Sequence, residues 1–224
     1  ADVGWSMVHS APLSAYCCAM ITDPFFYLCA IPAVLLYGIA KGGFGGNIAI
    51  VSVPLMALVV APQQAAAILL PILCLMDLVA LRTFRGRWDR TNLRIILPAA
   101  IVGVLIGALT FRLMNEQHIR LLIGVIAVSF VINAWWRRDQ QQARPANAWR
   151  GRFWGVLSGF TSFGIHAGGP PINVYMLPQR LEKTLLMGTL AVFFTLVNWV
   201  KVPAYLYLGQ FSSENLLTSL VLMP

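Results

Sequence analysis

From Gly42 to Met76 no side chain carries a charge, and this run is one of several. Pro24–Ala40, Ile95–Phe111, Leu121–Trp136 and Phe153–Gln179 are likewise uncharged, with His166 taken as neutral. Such runs approach or exceed the roughly 20 residues that a helix needs to cross hydrocarbon. They lack the strict alternation of a barrel wall, so the spans are helices rather than strands. Charged residues make up 11% of the chain, too few to cover the surface of a soluble domain, where about 25% is usual. The expected fold class is therefore all-α, an integral membrane protein crossing the bilayer several times.

The net charge of +8 does not indicate a nucleic-acid partner. Arg82, Arg85, Arg87, Arg90 and Arg94 form one cluster, and Arg137, Arg138, Arg144, Arg150 and Arg152 form another. Both lie between apolar runs, where positive charge marks the cytoplasmic side. Trp135 and Trp136 precede Arg137 as an interfacial aromatic belt would. Cys17, Cys18, Cys29 and Cys74 show no metal-type CxxC spacing. No metal set, nucleophile elbow or nucleotide loop is present, so neither an enzyme nor a cofactor is expected.

Along the chain, Thr22-Asp23-Pro24 reads as a helix start, with a capping side chain before a first-turn proline. The helix that follows is broken at Lys41-Gly42-Gly43-Phe44-Gly45-Gly46-Asn47, since clustered glycines weaken a helix. Spans are expected at about 63–83, 93–111, 117–136 and 183–208. The unit 153–178 is broken at His166-Ala167-Gly168-Gly169-Pro170-Pro171, where proline removes donors and clashes with the preceding turn.

Landmarks recur at one spacing: Gly45-Gly46 and Gly168-Gly169, Gly86-Arg87-Trp88 and Gly209-Gln210-Phe211, Asn92-Leu93 and Asn215-Leu216. This implies two repeats and a natural length of roughly 259 residues. The loop 82–94 is rich in arginine, whereas its counterpart 205–217 has no basic residue. By charge bias the two loops face opposite sides, so the repeats are expected to be inverted. The organisation is then an N-terminal segment 1–22, repeat one over 23–136, a cytoplasmic basic loop 137–152, and repeat two over 153–224. The N-terminus falls outside the cytoplasm. Each Gly-rich unit is either a re-entrant hairpin or a pair of short spans.

Interrupted helices in inverted repeats point to a secondary transporter with its site at the breaks. Freed backbone N–H groups and a positive helix end favour an anion. The candidate binding residues are Lys41, Gly42, Gly43, Gly45, Gly46 and Asn47 at the first break. At the second they are His166, Gly168, Gly169, Pro170 and Asn173. Asp77, Asn198 and Lys201 are candidates for coupling or gating, because ionisable groups at membrane depth are costly. Gly103 and Gly107 fit helix packing better than ligand binding. A proton is the candidate coupling ion, through His166 and Asp77.

The motif Tyr37-Gly38-Ile39-Ala40-Lys41-Gly42-Gly43-Phe44-Gly45-Gly46, with Pro54 following, resembles the TauE/SafE family of membrane permeases. So do Gly159-Phe160-Thr161-Ser162-Phe163-Gly164 and Gly168-Gly169-Pro170-Pro171. The resemblance implies a small sulfur-containing anion as substrate, such as sulfite or a sulfonate like sulfoacetate. It also implies the bacterial inner membrane and no soluble cofactor. The rival readings are an anion channel and a non-transporting membrane subunit or assembly factor. Direction, coupling ion and oligomeric state stay open.

Overall fold

The computed structural model describes residues 21, 23–44, 48–111 and 143–223, with parts of 113–132. Among the described residues the chain is helical, without strands. Among the described residues four helices are long and apolar enough to cross a membrane: Pro24–Gly42, Pro62–Thr83, Arg90–Phe111 and Lys183–Tyr207. The elements in order are α1 (Pro24–Ile39), a π-turn (Ala40–Phe44), a 3-10 turn (Ile48–Val51) and α2 (Ser52–Met56). They continue with α3 (Pro62–Thr83), α4 (Arg90–Phe111), α5 (Ala148–Ile165) and α6 (Gly169–Met176). The 3-10 turn Leu177–Gln179, α7 (Lys183–Tyr207) and α8 (Ser213–Val221) complete the described fold.

The helix starts follow from local chemistry. Asp23 caps α1 by accepting from Phe25 N at 2.9 Å, with Pro24 at the first position. Asp89 caps α4 through Thr91 N at 2.8 Å, and Ser212 caps α8 through Asn215 N at 3.2 Å. Asn147 caps α5 through Arg150 N at 3.0 Å, so Arg150 and Arg152 ride on the first turns of that helix. Pro32, Pro71, Pro98 and Pro203 lie inside helices, which membrane helices accommodate when neighbours satisfy the freed carbonyls.

Two ends of the bundle can be told apart by their contacts. At the arginine end, Asn92 and Gln179 exchange side-chain hydrogen bonds at 2.8 and 3.1 Å. There the Asp89 N–H also donates to Thr189 Oγ1 at 2.8 Å. At the far end Gln64 donates to Asn215 Oδ1 at 3.2 Å, and Ser219 donates to Ile68 O at 2.7 Å. The chain enters α1 at this far end, where Ile21 N meets Thr218 Oγ1 at 3.5 Å.

Each glycine-rich unit doubles back on itself. Descending α1 is met by the returning chain where Ser52 Oγ donates to Ala33 O at 2.8 Å. The second unit turns after α5, and Ser158 Oγ donates to Gly168 O at 2.7 Å. Its two legs meet again at the arginine end, where Arg144 N donates to Pro178 O at 2.9 Å. The two hairpins thus open toward opposite ends of the bundle.

Glycine fixes how α5 seats on α4. A Cβ on Gly155 would meet Ile96 O at 2.9 Å, and one on Gly107 would meet Phe163 Cβ at 2.8 Å. Cβ atoms on Gly103 and Gly159 would overlap the backbones of Val156 and Ala100. These contacts advance together along both chains, so α4 and α5 run side by side in the same direction. Gly103 and Gly107 belong to this seam. Gly86 (φ +77°) and Gly209 (φ +66°) take the left-handed turns that follow α3 and α7, a conformation glycine adopts without steric cost.

Candidate functional site

The turns of the two hairpins meet inside the bundle. Tyr37 of α1 donates its phenolic hydrogen to His166 O at 2.8 Å, joining one hairpin to the other. Beside this link lies a cavity of about 50 Å³, whose lining includes Tyr37, Lys41, Asp77, Ser162, His166, Gly169 and Asn198. A single water needs about 10–15 Å³, so several waters or a small oxyanion fit. Leu73, Met187, Leu190, Ala191 and Phe194 form its apolar wall.

Lys41 reaches the cavity from the π-turn. A π-turn widens the helix and often marks a functional position. Its ammonium donates to Leu73 O at 3.1 Å and pairs with Asp77. Asp77, on α3, is 1% exposed and accepts from Asn198 Nδ2 of α7 at 2.6 Å. The carboxylate is therefore bracketed by a cation and an amide, as a buried charge requires.

His166 ends α5 in the left-handed conformation (φ 53°, ψ 24°). That region is uncommon for non-glycine residues, though histidine is among those that enter it. The sequence places the break at His166-Ala167-Gly168-Gly169-Pro170-Pro171, and within it the residue that turns the chain is the histidine rather than a glycine. Gly168 is helical (φ −73°). A Cβ there would meet Ser158 O and Ser162 Cβ, each at 2.9 Å, so its smallness serves the closure of the hairpin. Pro170 and Pro171 occupy the first turn of α6 and lack N–H groups. The positive end of this helix therefore presents few backbone donors, and side chains dominate the polarity of the cavity.

Lys201 stands behind the cavity, fully buried. Its ammonium lies 3.0 Å from Ser162 O, 3.2 Å from Ser162 Oγ and 2.7 Å from His166 Nδ1. The other ring nitrogen of His166 is 2.8 Å from Ala66 O. Asp77 and Lys201 do not pair with each other but take separate partners.

Of the sequence candidates, Lys41, Asp77, His166, Gly169 and Asn198 come together around one space, with Lys201 in the next layer. Gly168, Pro170 and Asn173 are buried outside the lining. Gly42 is exposed, and a Cβ added to it would meet nothing within 4 Å among the described residues, while Gly43 belongs to the π-turn. Gly45, Gly46 and Asn47 lie outside the described residues. Sequence reasoning does not single out Tyr37 or Ser162 as site residues. Ser158, Thr161 and Ser162 do carry a signal: hydroxyls at helical spacing within an uncharged glycine-rich run, a pattern that glues membrane helices. Among the described residues no group of three His, Cys, Asp or Glu side chains could hold a metal.

Apolar helices long enough to span a bilayer, around a largely apolar cavity entered by a few ionisable and polar side chains, define a multi-pass membrane protein with a candidate internal site. Residues 30–224 match the profile of the family described as "Sulfite exporter TauE/SafE". The chain belongs to this family of membrane exporters. Comparison with curated proteins and with solved structures gives no match.

Proposed function

We propose that the chain is a secondary transporter that moves a small sulfur-containing anion across the bacterial inner membrane by alternating access. The observation that carries this reading is the charge of the cavity. Two ammonium groups, Lys41 and Lys201, face or back it, while Asp77 is the one carboxylate among its lining residues. With both amines protonated, one positive charge is left over, in an apolar surround where its attraction for an anion is many times that in water. A pyramidal or tetrahedral oxyanion would lie between Lys41 and Asn198 on one side and Ser162 and His166 on the other.

The two hairpins open to opposite ends, and several landmarks of the first half recur in the second. Asp89 and Ser212 are both caps, Gly86 and Gly209 both have positive φ, and Asn92 and Asn215 are both buried. These observations support inverted repeats with glycine-broken helices, the architecture in which the same site can be exposed alternately to either side. Under the charge bias the arginine end faces the cytoplasm and the N-terminus lies outside it.

The test uses the full chain. A thermal-shift panel of sulfite, sulfoacetate, thiosulfate and sulfate reads binding, since a ligand of the folded state raises its stability. Flux of the stabilising anion into proteoliposomes, with and without a pH gradient, reads transport. A shift and saturable flux support the reading. Flux that never saturates and ignores any gradient favours a channel. Neither shift nor flux leaves a non-transporting subunit.

A further inference from the structure

The environment of Lys201 singles it out from the other ionisable groups. It is fully buried, and among the described residues no carboxylate lies within ion-pair distance of it. Asp77, the nearest candidate, is taken by Lys41 and Asn198. What Lys201 has is His166 Nδ1 at 2.7 Å, together with the carbonyl and hydroxyl of Ser162.

The histidine's protonation follows from its second contact. Ala66 O can only accept, so Nε2 carries the ring hydrogen. In the neutral ring Nδ1 is then a lone pair, and the Lys201 ammonium donates to it. A proton added to Nδ1 would set two N–H groups against each other unless the lysine gave one up. The pair therefore holds one positive charge and not two.

The pair is equally well satisfied without that charge. A neutral amine keeps two hydrogens, for Ser162 O and His166 Nδ1. Its own lone pair then accepts from the Ser162 hydroxyl, whose hydrogen rotates to suit. Losing the proton breaks no contact, which is what a group that must charge and discharge in a dry interior requires. Other ionisable groups near it are differently placed. Lys41 has its charge offset by Asp77. Tyr37 and Tyr205 donate to His166 O at 2.8 Å and Phe163 O at 2.6 Å. Cys74 on α3 is half-buried.

We propose that Lys201 and His166 form a one-proton dyad that couples transport: it takes up a proton as the anion binds and releases it as the anion leaves. The dyad rests on the transport reading above and replaces Asp77 as the coupling group. One proton and one anion then cross together, and the empty site returns with the dyad neutral.

The test starts with the wild-type full chain and sulfoacetate, whose charge does not change near neutral pH. Heats of binding in two buffers of different ionisation enthalpy give the protons taken up per anion. Proteoliposomes containing a trapped pH-sensitive dye report whether protons accompany the flux. Uptake of a proton on binding and proton movement with flux are expected. Binding with no proton uptake overturns the dyad while leaving the transport reading intact. Absence of binding and flux for every anion in the panel removes both. Lys201→Arg keeps a permanent cation, so it should retain the thermal shift within about twofold but lose proton movement. Lys201→Met should lose both. Proton movement at the wild-type rate in either variant overturns the proposal.

Discussion

The two hairpins perform similar turns with different materials. In the first, α1 leaves Phe25, Leu28, Ile31, Leu35 and Ile39 exposed along its length, and these would face lipid. Its turn carries a charged side chain, Lys41, held by a partner on a separate helix. In the second, residues 161–176 are all buried. Its turn is held by hydroxyls within its own unit, with Ser158 and Thr161 reaching the carbonyls of Gly168 and Ala167 at 2.7 and 3.0 Å. The second hairpin is therefore built as a fixed wall. The first is clasped by Ser52 and packed on α3, but the polar links of its turn to other helices run through two side chains, Lys41 and Tyr37, which makes it the better candidate for the part that moves.

The largest expected effect tests the rigid half. Gly159→Val places a Cβ onto the backbone of Ala100, and α5 can relieve this only by leaving α4. Overpacking typically costs 1–3 kcal/mol, and this site should lie at the top of that range, about 3 kcal/mol. The measurement is thermal unfolding of the purified protein in detergent. A variant that unfolds like wild type would mean that the α4–α5 seam is not a fixed support.

Next comes the ion pair. Asp77→Asn removes the carboxylate that pairs with Lys41 and accepts from Asn198. Breaking a fully buried pair costs about 3–5 kcal/mol, and Lys41 borders the cavity, so about 2 kcal/mol is expected here. The same change leaves the Lys41 ammonium free for an anion. The dissociation constant of the bound anion should therefore fall about tenfold, equivalent to about 1.4 kcal/mol, while flux slows. Weaker binding in this variant would show that the carboxylate orients Lys41 toward the anion rather than competing with it.

Tyr37→Phe cuts the hydrogen bond between the hairpins. A neutral hydrogen bond contributes about 1 kcal/mol, so unfolding should shift only modestly. If α1 moves against a fixed wall, flux should change more than stability does. Equal and small effects on both would assign the phenol a purely structural part.

How far these features are legible depends on which interactions leave a pattern along the chain. The spanning helices are set by long uncharged runs and by caps such as Asp23, so α3, α4 and α7 begin and end within a few residues of their sequence limits. Lys41, Asp77, His166, Asn198 and Lys201 stand out because a polar group in such a run has few cheap explanations. Their pairing does not, since which cation takes Asp77 depends on how helices far apart in sequence cross. The left-handed turn at His166 is also hidden, because the adjacent glycines are the residues expected to adopt it. Gly168 instead admits the close approach of α5, a demand that exists only once the hairpin has closed.

The smallest expected effect probes the open half. Among the described residues a Cβ on Gly42 would meet nothing within 4 Å, in contrast to the crowded glycines on α5. Gly42→Ala should therefore change stability by no more than about 0.5 kcal/mol, as for surface positions away from special features. Its effect on flux carries more information than its effect on unfolding. If the described arrangement were the only state, flux would be unchanged as well. A variant that folds and binds the anion normally but transports slowly would mean that something approaches Gly42 closely in another state. The first hairpin, rather than the packed second one, would then be the element that moves.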